Sequence, residues 1–262
     1  MTCQVAIVIL SKDNPELLKT CIESIRKHTT KTVYKLYICD TGSTDHNLQD
    51  IIRYLKKYYS KETCQLLTLE HYHFAANNND IIRAHVEEPW ILLCNNDIEL
   101  QSNCVDTMLE WGQTHDNVGS IGCRLLFPDQ TIQHAGQTAY IDEHGLLQCT
   151  HRGYRGKKKY NTCKVVGNTA AMMMTKRDTF LNIGGFDEIY TECWEDIQLN
   201  MQYILSGLNN WYLDHIHAIH HESMTRLQDA AAKYRLRYDY TYKLKPWFDG
   251  LDPHQKQYIL QL

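Results

Sequence analysis

The sequence predicts an α/β fold with a doubly wound, mostly parallel central sheet flanked by helices and a small additional antiparallel element. Short apolar runs alternate with amphipathic segments of helical spacing through roughly the first hundred residues, which is the order of a parallel sheet. Polar residues follow the ends of these runs, where open α/β sheets bind their ligands. A length of 262 residues and a hydrophobic content of 43% suffice for one sizeable domain.

The first elements can be assigned from periodicity. Residues 5–10, VAIVIL, form a continuous apolar run, which is typical of a strand covered on both faces. A helix is predicted next, with Asp13 or Asn14 as its cap and Pro15 in its first turn. Residues 34–39 predict the second strand.

The remaining elements follow in chain order, less regularly after residue 100. In the first half we predict a helix with its apolar stripe at residues 48–55, a strand at 65–69, a helix at 79–85 and a strand at Trp90–Cys94. In the second half we predict strands at 119–126 and within 164–174, a helix at 195–208 that stops near Gly207, and one or two short strands within 210–223.

Composition excludes several classes of protein. A net charge of −4 and a pI near 6.4 give no reason to expect a nucleic-acid partner. No run approaches the ~18 apolar residues of a membrane span, and the N-terminus enters a strand pattern without the features of a signal peptide. The ten cysteines form no Cys-x-x-Cys pair, so we expect free thiols, a reducing compartment and a cytoplasmic location.

The carboxyl ends of the predicted strands carry three polar clusters. Ser11 and Asp13 follow the first strand, Asp40 follows the second, and Asn95-Asn96-Asp97 follows Trp90–Cys94. Turn formation alone explains Asn and Asp at such points. A cation site with oxygen ligands is the alternative, and its position at the ligand-binding edge of the sheet favours it.

Taken in order, the motifs resemble the family 2 glycosyltransferases of GT-A fold, in particular their bacterial rhamnosyltransferase-like branch. VAIVILSKDNPELLKTCIESI resembles the opening strand and helix of that family, and YICDTGSTD its second-strand motif. FAANNND and WILLCNNDIEL are similar to the segment around its metal motif, the so-called DXD. LLFPDQTIQHAG, GGFDE, WEDIQLNMQ and IHHESMTR resemble later stretches. The resemblance covers roughly residues 5–226, and the ordered set is more specific than any single motif.

This resemblance implies a binding site for a nucleoside-diphosphate sugar. Asp97 is the expected ligand of a Mn²⁺ or Mg²⁺ cofactor that acts as a Lewis acid on the departing diphosphate. His220 is the expected second ligand, and His221 is the alternative. Contacts to the donor nucleotide are expected from Ser11, Asp13, Asp40, Asn79 and Asn96.

The resemblance also implies an inverting mechanism with one carboxylate as general base. Asp196, together with Glu195, opens a predicted helix and forms the expected catalytic pair. Acidic residues in a first helical turn are also explained by the helix dipole alone. Trp194 is expected to stack on a sugar face, with packing in the core as the alternative.

Two basic stretches require separate interpretations. Residues 151–164 contain six Lys or Arg and no acid. Arg152, Arg155 and the lysines at 157–159 are expected to contact phosphates or the acceptor from a mobile lid, with a solvated loop as the alternative. The basic, tyrosine-rich tail is expected to pack on the core; docking at a membrane surface remains the alternative.

The predicted organisation is a GT-A domain at residues 1–226, with a nucleotide-binding half (1–100) and an acceptor and catalytic half (101–226), and a helical appendage at 227–262. The predicted activity is transfer of a hexosyl or deoxyhexosyl group from a UDP- or dTDP-type donor to a glycan or lipid-linked glycan. One alternative is a non-catalytic sugar-nucleotide- or glycan-binding relative, which the retention of Asp97, Asp196 and His220 disfavours. The other is a sugar-1-phosphate nucleotidyltransferase, whose Gly-rich loop is missing from SKDNPELL.

Overall fold

The computed structural model describes residues 3–191, 193–221 and 231–262. The first half contains β1 (Val5–Ser11), α1 (Pro15–His28), β2 (Tyr34–Asp40), α2 (Asp45–Tyr58), β3 (Cys64–Thr68), α3 (Phe74–His85), β4 (Trp90–Cys94) and β5 (Ile98–Leu100). The middle contains α4 (Cys104–Thr114), β6 (Val118–Leu126), β7 (Ile132–His134), β8 (Gln137–Ile141), β9 (Leu147–His151), β10 (Cys163–Val165) and β11 (Met172–Lys176). The last part contains α5 (Arg177–Asn182), α6 (Glu195–Leu205), β12 (Asn209–His220), α7 (Ala232–Asp239), α8 (Lys245–Asp249) and α9 (Pro253–Leu260).

The central sheet has the strand order β10-β12-β6-β11-β4-β1-β2-β3. Strands β12, β6, β4, β1, β2 and β3 run in one direction, and β11 lies antiparallel between β4 and β6. The hairpin β8–β9 forms a separate antiparallel sheet. The predicted α/β architecture, with its mostly parallel sheet and small antiparallel element, is therefore confirmed.

Strand β1 is buried along its whole length because helices cover both faces of the sheet. Val5, Ile7 and Ile9 face the cluster formed with α1, α2 and α4. The alternate residues, among them Ala6 and Val8, face the cluster formed with α3, α5 and α6. Full burial of one Ile or Val side chain contributes roughly 1.5–3 kcal/mol, so this strand anchors the fold.

Helix α3 begins at Phe74, five residues before its predicted start at residue 79. His73 caps the helix, because its Nδ1 accepts a hydrogen bond from the backbone N–H of Ala76 at 3.2 Å. In return, Oδ1 of Asn77 accepts from the backbone N–H of His73 at 2.7 Å. This cap uses a histidine where Ser, Thr, Asp or Asn is usual, so the sequence pattern placed the start too late.

The predicted strand within 164–174 is divided into β10 and β11. Residues 166–171 form the loop between them, which lies beside the candidate site described below. By contrast, β12 is one strand of twelve residues, because it pairs with β6 on one side and with β5 and β10 on the other. All ten cysteines are free thiols, as predicted.

The tail, residues 231–262, packs on α6. Leu244, Phe248 and Ile259 are buried against Ile197 and Met201 of α6. The predicted domain boundary between residues 226 and 227 lies outside the described residues. Among the helices that the structure describes, none is both long and apolar enough to cross a membrane.

Candidate active site

The turn Asn95-Asn96-Asp97 joins β4 to β5, and β5 then pairs with the end of β12. This register sets His220 opposite Ile98, so the imidazole arrives next to the carboxylate of Asp97. Nε2 of His220 lies 3.2 Å from Oδ1 of Asp97. The neighbouring His221 turns its ring instead to Glu99, at 3.0 Å.

The geometry of Asp97 and His220 is compatible with a shared cation. Although the two atoms are close, Oδ1 of Asp97 is buried and forms no aligned hydrogen bond within the described residues. In an octahedral site, two adjacent ligand atoms that each lie about 2.1 Å from the ion are about 3.0 Å from each other. This value is close to the separation between Oδ1 of Asp97 and Nε2 of His220. Within the described part of the chain, no group of three or more His, Cys, Asp or Glu side chains could hold a metal ion. A cation held by Asp97 and His220 would therefore need further ligands from substrate phosphates and water, as is usual for Mg²⁺.

Asp196 lies in the first turn of α6, and Glu195 beside it is buried. Oδ2 of Asp196 accepts a hydrogen bond from the backbone N–H of Ala170 at 3.1 Å. The carbonyl of the next residue, Ala171, accepts from the backbone N–H of Asn95 at 2.9 Å. The carboxylate at the helix start and the Asp97 turn are thus fixed to one short segment, residues 169–171.

Trp194 precedes α6 with a φ of 88°, in the left-handed region that a bulky residue rarely adopts. Such a conformation costs of order 1–3 kcal/mol and is typical of functional sites. The indole Nε1 donates to the carbonyl of Leu236 at 3.0 Å, and the ring lies 5.5 Å from that of Tyr240. Packing of the tail therefore holds Trp194 at the cleft.

One cleft of about 660 Å³ contains most of these groups. Among its lining residues are the predicted Asn96, Asp97, Trp194, Glu195, Asp196 and His220. The opposite wall comes from β7 and the β8–β9 hairpin and was not predicted from the sequence. It contributes Gln133, Gln137, Thr150 and His151. The sequence signal for part of this wall was the stretch LLFPDQTIQHAG, which resembles the family but indicated no chemical role for its residues.

Polar residues at the ends of β1 and β2 form the edge of the sheet beside this cleft. Nδ2 of Asn96 donates to the hydroxyl of Ser11 at 3.4 Å, so two predicted nucleotide contacts lie together. Asp40 caps its own turn, because Oδ2 accepts from the backbone N–H groups of Gly42 and Ser43. Oδ1 of Asp40 is buried and has no partner within the described residues, which leaves an acceptor for a ligand.

Asp13 is engaged within the protein. Oδ1 of its carboxylate accepts from the backbone N–H of Thr44 and from the amide of Asn47, both at 2.9 Å. The Thr44 hydrogen bond, followed by that of Asn47, lowers the pKa of Asp13. Asp13 therefore joins the first strand-to-helix turn to the start of α2, and its expected contact with the nucleotide has no support in this arrangement.

Asn79 does not lie in the cleft. Its amide donates to the carbonyl of Phe186 and to Glu188, both at 2.8 Å, and its Oδ1 accepts from the backbone N–H of Phe186. The side chain is buried and ties α3 to the turn before α6. The structure thus gives it a structural role in place of the predicted contact with the nucleotide.

Arg152 and Arg155 also lie outside the cleft lining. Arg152 donates to the carbonyl of Ala135 at 2.8 Å and lies over the rings of Tyr160 and Tyr212. The guanidinium of Arg155 lies 3.7 Å from the centre of the Phe127 ring. Both cations therefore pack within their own half of the fold, and the predicted phosphate contacts find no support in their positions.

The open α/β sheet has the GT-A fold, as the similarity to two solved structures shows. The fold matches a structure of GalNAc-T7 with UDP, GalNAc and Mn²⁺ at a TM-score of 0.68 and 12% identity, over 97% of this chain and 54% of the other. It also matches the mannosyltransferase PcManGT from Pyrobaculum calidifontis in complex with GDP-Man and Mn²⁺. The TM-score is 0.68 and the sequence identity 12%, over 100% of this chain and 69% of the other. The model of Glycosyl transferase family 2 matches residues 6–184, so the chain belongs to this family.

The chain is also similar in sequence to three relatives. The chain is 27% identical to the O-antigen biosynthesis protein RfbC of Myxococcus xanthus, over 98% of this chain and 20% of RfbC. It is 28% identical to the uncharacterized protein y4gI of Sinorhizobium fredii, over 95% of this chain and 28% of y4gI. It is 20% identical to an N-acetylglucosaminyl-diphospho-decaprenol L-rhamnosyltransferase of Mycobacterium tuberculosis, over 59% of this chain and 54% of that relative. The chain thus spans 20–28% of the length of the first two relatives.

Proposed function

We propose that this chain is a metal-dependent, inverting glycosyltransferase that moves a hexosyl or deoxyhexosyl group from a nucleoside-diphosphate donor to a hydroxyl of a glycan or lipid-linked glycan. The observation that carries the proposal is that the Asp97–His220 pair and the Asp196 carboxylate line the same cleft. The first suits a cation beside a diphosphate, and the second suits deprotonation of an acceptor hydroxyl.

The donor nucleoside would bind at the edge formed by Ser11, Asp40 and Asn96. The buried, unpartnered Oδ1 of Asp40 suits the imide N–H of uracil or thymine, which supports a UDP- or dTDP-type donor. The names of the relatives support the same chemistry, since one solved structure holds UDP and one relative transfers L-rhamnose. GDP, which the mannosyltransferase structure contains as GDP-Man, is the competing donor class.

Asp97 and His220 would hold the cation, and Mn²⁺ suits this pair because imidazole favours it over Mg²⁺. When bound, the cation neutralises charge on the departing diphosphate. Both neighbouring GT-A structures contain Mn²⁺, which supports this choice.

Asp196 would act as the general base. The backbone N–H of Ala170 holds Oδ2, and Oδ1 is then the oxygen that would accept the proton of the acceptor hydroxyl. The acceptor oxygen attacks the anomeric carbon as the bond to the diphosphate breaks, so the configuration at that carbon inverts. One carboxylate suffices for this single displacement, and general-base catalysis of this kind is typically worth about 10²–10⁴-fold.

A thermal-shift panel tests the proposal. The protein would be melted with UDP-, dTDP- and GDP-sugars, each with Mn²⁺ and with a chelator. A ligand that binds only the native state raises the melting temperature, by an amount that grows with its ratio to the dissociation constant. We expect a rise with one nucleotide class and only in the presence of Mn²⁺. A panel without any shift would contradict the proposed function.

A further inference from the structure

The side chain of Gln137 is buried in the cleft wall without a hydrogen-bond partner. The residue is 1% exposed, and neither Oε1 nor Nε2 has a partner within the described residues. Buried side-chain amides are almost always bonded, since an unpaired one loses its water without compensation. Because Gln137 also lines the cleft, a ligand there could supply what the protein does not.

The position of Gln137 is fixed by its backbone. Its N–H donates to the carbonyl of Gly167 at 2.7 Å, and its carbonyl accepts from the N–H of Val166 at 3.2 Å. A Cβ at residue 167 would come within 2.5 Å of Oε1 of Gln137, so only glycine leaves room for the amide here. The orphan amide is therefore held in place by its surroundings, a form of preorganisation for binding.

The backbone of Gln137 is bonded to the same loop that holds the expected base. Its partner Gly167 is three residues before Ala170, whose N–H holds the carboxylate of Asp196. In the β8–β9 hairpin, Gln137 is directly opposite His151, which also lines the cleft. Directly opposite residues share a face of the hairpin. Nδ1 of His151 lies 3.3 Å from the carbonyl oxygen of Gln133. Ser11 and Asp40, the expected nucleoside contacts, belong to β1 and β2 of the central sheet, whereas Gln137 belongs to the separate β8–β9 sheet.

We propose that Gln137 is a specificity-determining residue whose amide binds two adjacent hydroxyl groups of a pyranose held beside Asp196, an inference that rests on the proposed function. A carboxamide offers one acceptor oxygen and two N–H donors side by side, which matches a vicinal diol that accepts through one hydroxyl and donates through the other. The pyranose is either the sugar of the donor or that of the acceptor. A pocket built to bond hydroxyls also rejects analogues that lack them, because its polar groups are then left unpaired.

The test compares Gln137→Met with a matched control, Gln148→Met. Methionine keeps the length of glutamine and removes the amide. Gln148 lies on the same hairpin, its amide donates to Asp142 at 2.7 Å, and it is not among the residues that line the cleft. Melting temperature serves as the first readout. We expect Gln137→Met to melt at or above the wild-type temperature, since it removes an unpaired buried amide, and Gln148→Met to melt lower.

Binding supplies the second readout. Calorimetry measures the affinity for UDP, dTDP and their glucose and rhamnose conjugates in the presence of Mn²⁺. Saturation-transfer NMR measures the binding of methyl glucoside, galactoside, mannoside and rhamnoside, with and without UDP and Mn²⁺. We expect Gln137→Met to leave affinity for the bare nucleotides unchanged and to weaken a sugar-bearing probe about tenfold, the loss of two ordinary hydrogen bonds. Weaker binding of the nucleotide sugar identifies the donor sugar, and weaker binding of a methyl pyranoside identifies the acceptor sugar.

The outcomes separate this inference from the proposed function. Unchanged binding of every sugar probe by Gln137→Met, or a melting temperature below that of Gln148→Met, overturns the role of Gln137 even if the wild type binds nucleotide sugars. Binding of methyl pyranosides through Gln137 by a protein that binds no nucleotide overturns the proposed function and leaves the subsite standing. A wild type that binds neither class of probe overturns both.

Discussion

Oδ1 of Asp97, in the turn between β4 and β5, lies 3.2 Å from Nε2 of His220 at the end of β12. The pairing of β5 with β12 creates this relationship, because it folds the turn after β4 back onto the end of β12. The same pairing lets the backbone N–H of His221 donate to the carbonyl of Asp97 at 3.0 Å. The backbone therefore fixes which of the two adjacent histidines faces the carboxylate.

The first prediction distinguishes these two histidines. His220→Gln should weaken Mn²⁺-dependent nucleotide binding by at least about tenfold, since even supporting residues of metal sites contribute that much. His221→Gln is the matched control, because its ring contacts Glu99 and should leave that binding unchanged. Calorimetry with UDP or dTDP, with Mn²⁺ and with a chelator, measures both. Loss of binding in His221→Gln alone would reverse the assignment.

The second prediction concerns the base. Asp196→Asn keeps the shape of the side chain and an acceptor for the N–H of Ala170, but removes the proton acceptor. We expect kcat to fall by about 10²–10⁴-fold and the donor dissociation constant to stay nearly constant. Turnover with a competent acceptor and calorimetry with the donor form the paired measurement. A fall of less than about tenfold, below that range, would make Glu195 the next candidate, and Glu195→Gln is the parallel variant.

The third prediction concerns the basic stretch. Lys157, Lys158 and Lys159 remain the candidates for a lid because their side chains are exposed, although they lie outside the cleft lining as Arg152 and Arg155 do. Neutralising the three lysines to glutamine should weaken donor or acceptor binding more at low salt than at high salt. The matched control neutralises the exposed lysines 56, 57 and 61, which makes the same change in net charge outside the cleft lining. Equal affinity for both triple variants at low salt would mean that the stretch is a solvated loop.

The parts of the site that the sequence could predict are those in which local pattern and chemistry coincide. The run Trp90–Cys94 is apolar because it is buried, and the polar turn after it must lie at the sheet edge, so Asp97 could be assigned. Asp196 was expected because WEDIQLNMQ resembles a helix start of the family, and it does lie in the first turn of α6 beside the cleft. Neither inference needed knowledge of which strands pair.

The contacts that the sequence could not predict are long-range ones. Asn79 looked like a polar residue near the ligand edge, yet its partners Phe186 and Glu188 lie far away in the sequence. Arg155 looked like a free cation, yet it stacks on Phe127. Gln137 gave no signal, because an unpaired amide is recognised only when its surroundings are known.

The fourth prediction uses pH to test a buried carboxylate away from the cleft. Burial alone would raise the pKa of Asp106, but hydrogen bonds, first from the backbone of Thr30 and then from Thr32 and Lys31, outweigh it and lower the pKa. These bonds tie the start of α4 to the loop after α1. Asp106→Asn should therefore lower the free energy of unfolding at neutral pH by about 1–3 kcal/mol, as for a disrupted buried charged hydrogen bond.

The sign of the pH dependence follows from the lowered pKa of Asp106. A carboxylate whose pKa is depressed on folding stabilises the protein above its unfolded pKa, near 3.9, and this contribution is lost as the pH falls through the folded value. The difference in unfolding free energy between wild type and Asp106→Asn should thus be constant from about pH 6 to 8 and shrink below about pH 4. Denaturant unfolding across this range measures it. Asp116→Asn, on the exposed loop after α4, is the control and should change stability little at any pH. A difference that stays constant down to pH values of about 2 would mean that packing, and not the ionised carboxylate, stabilises this junction.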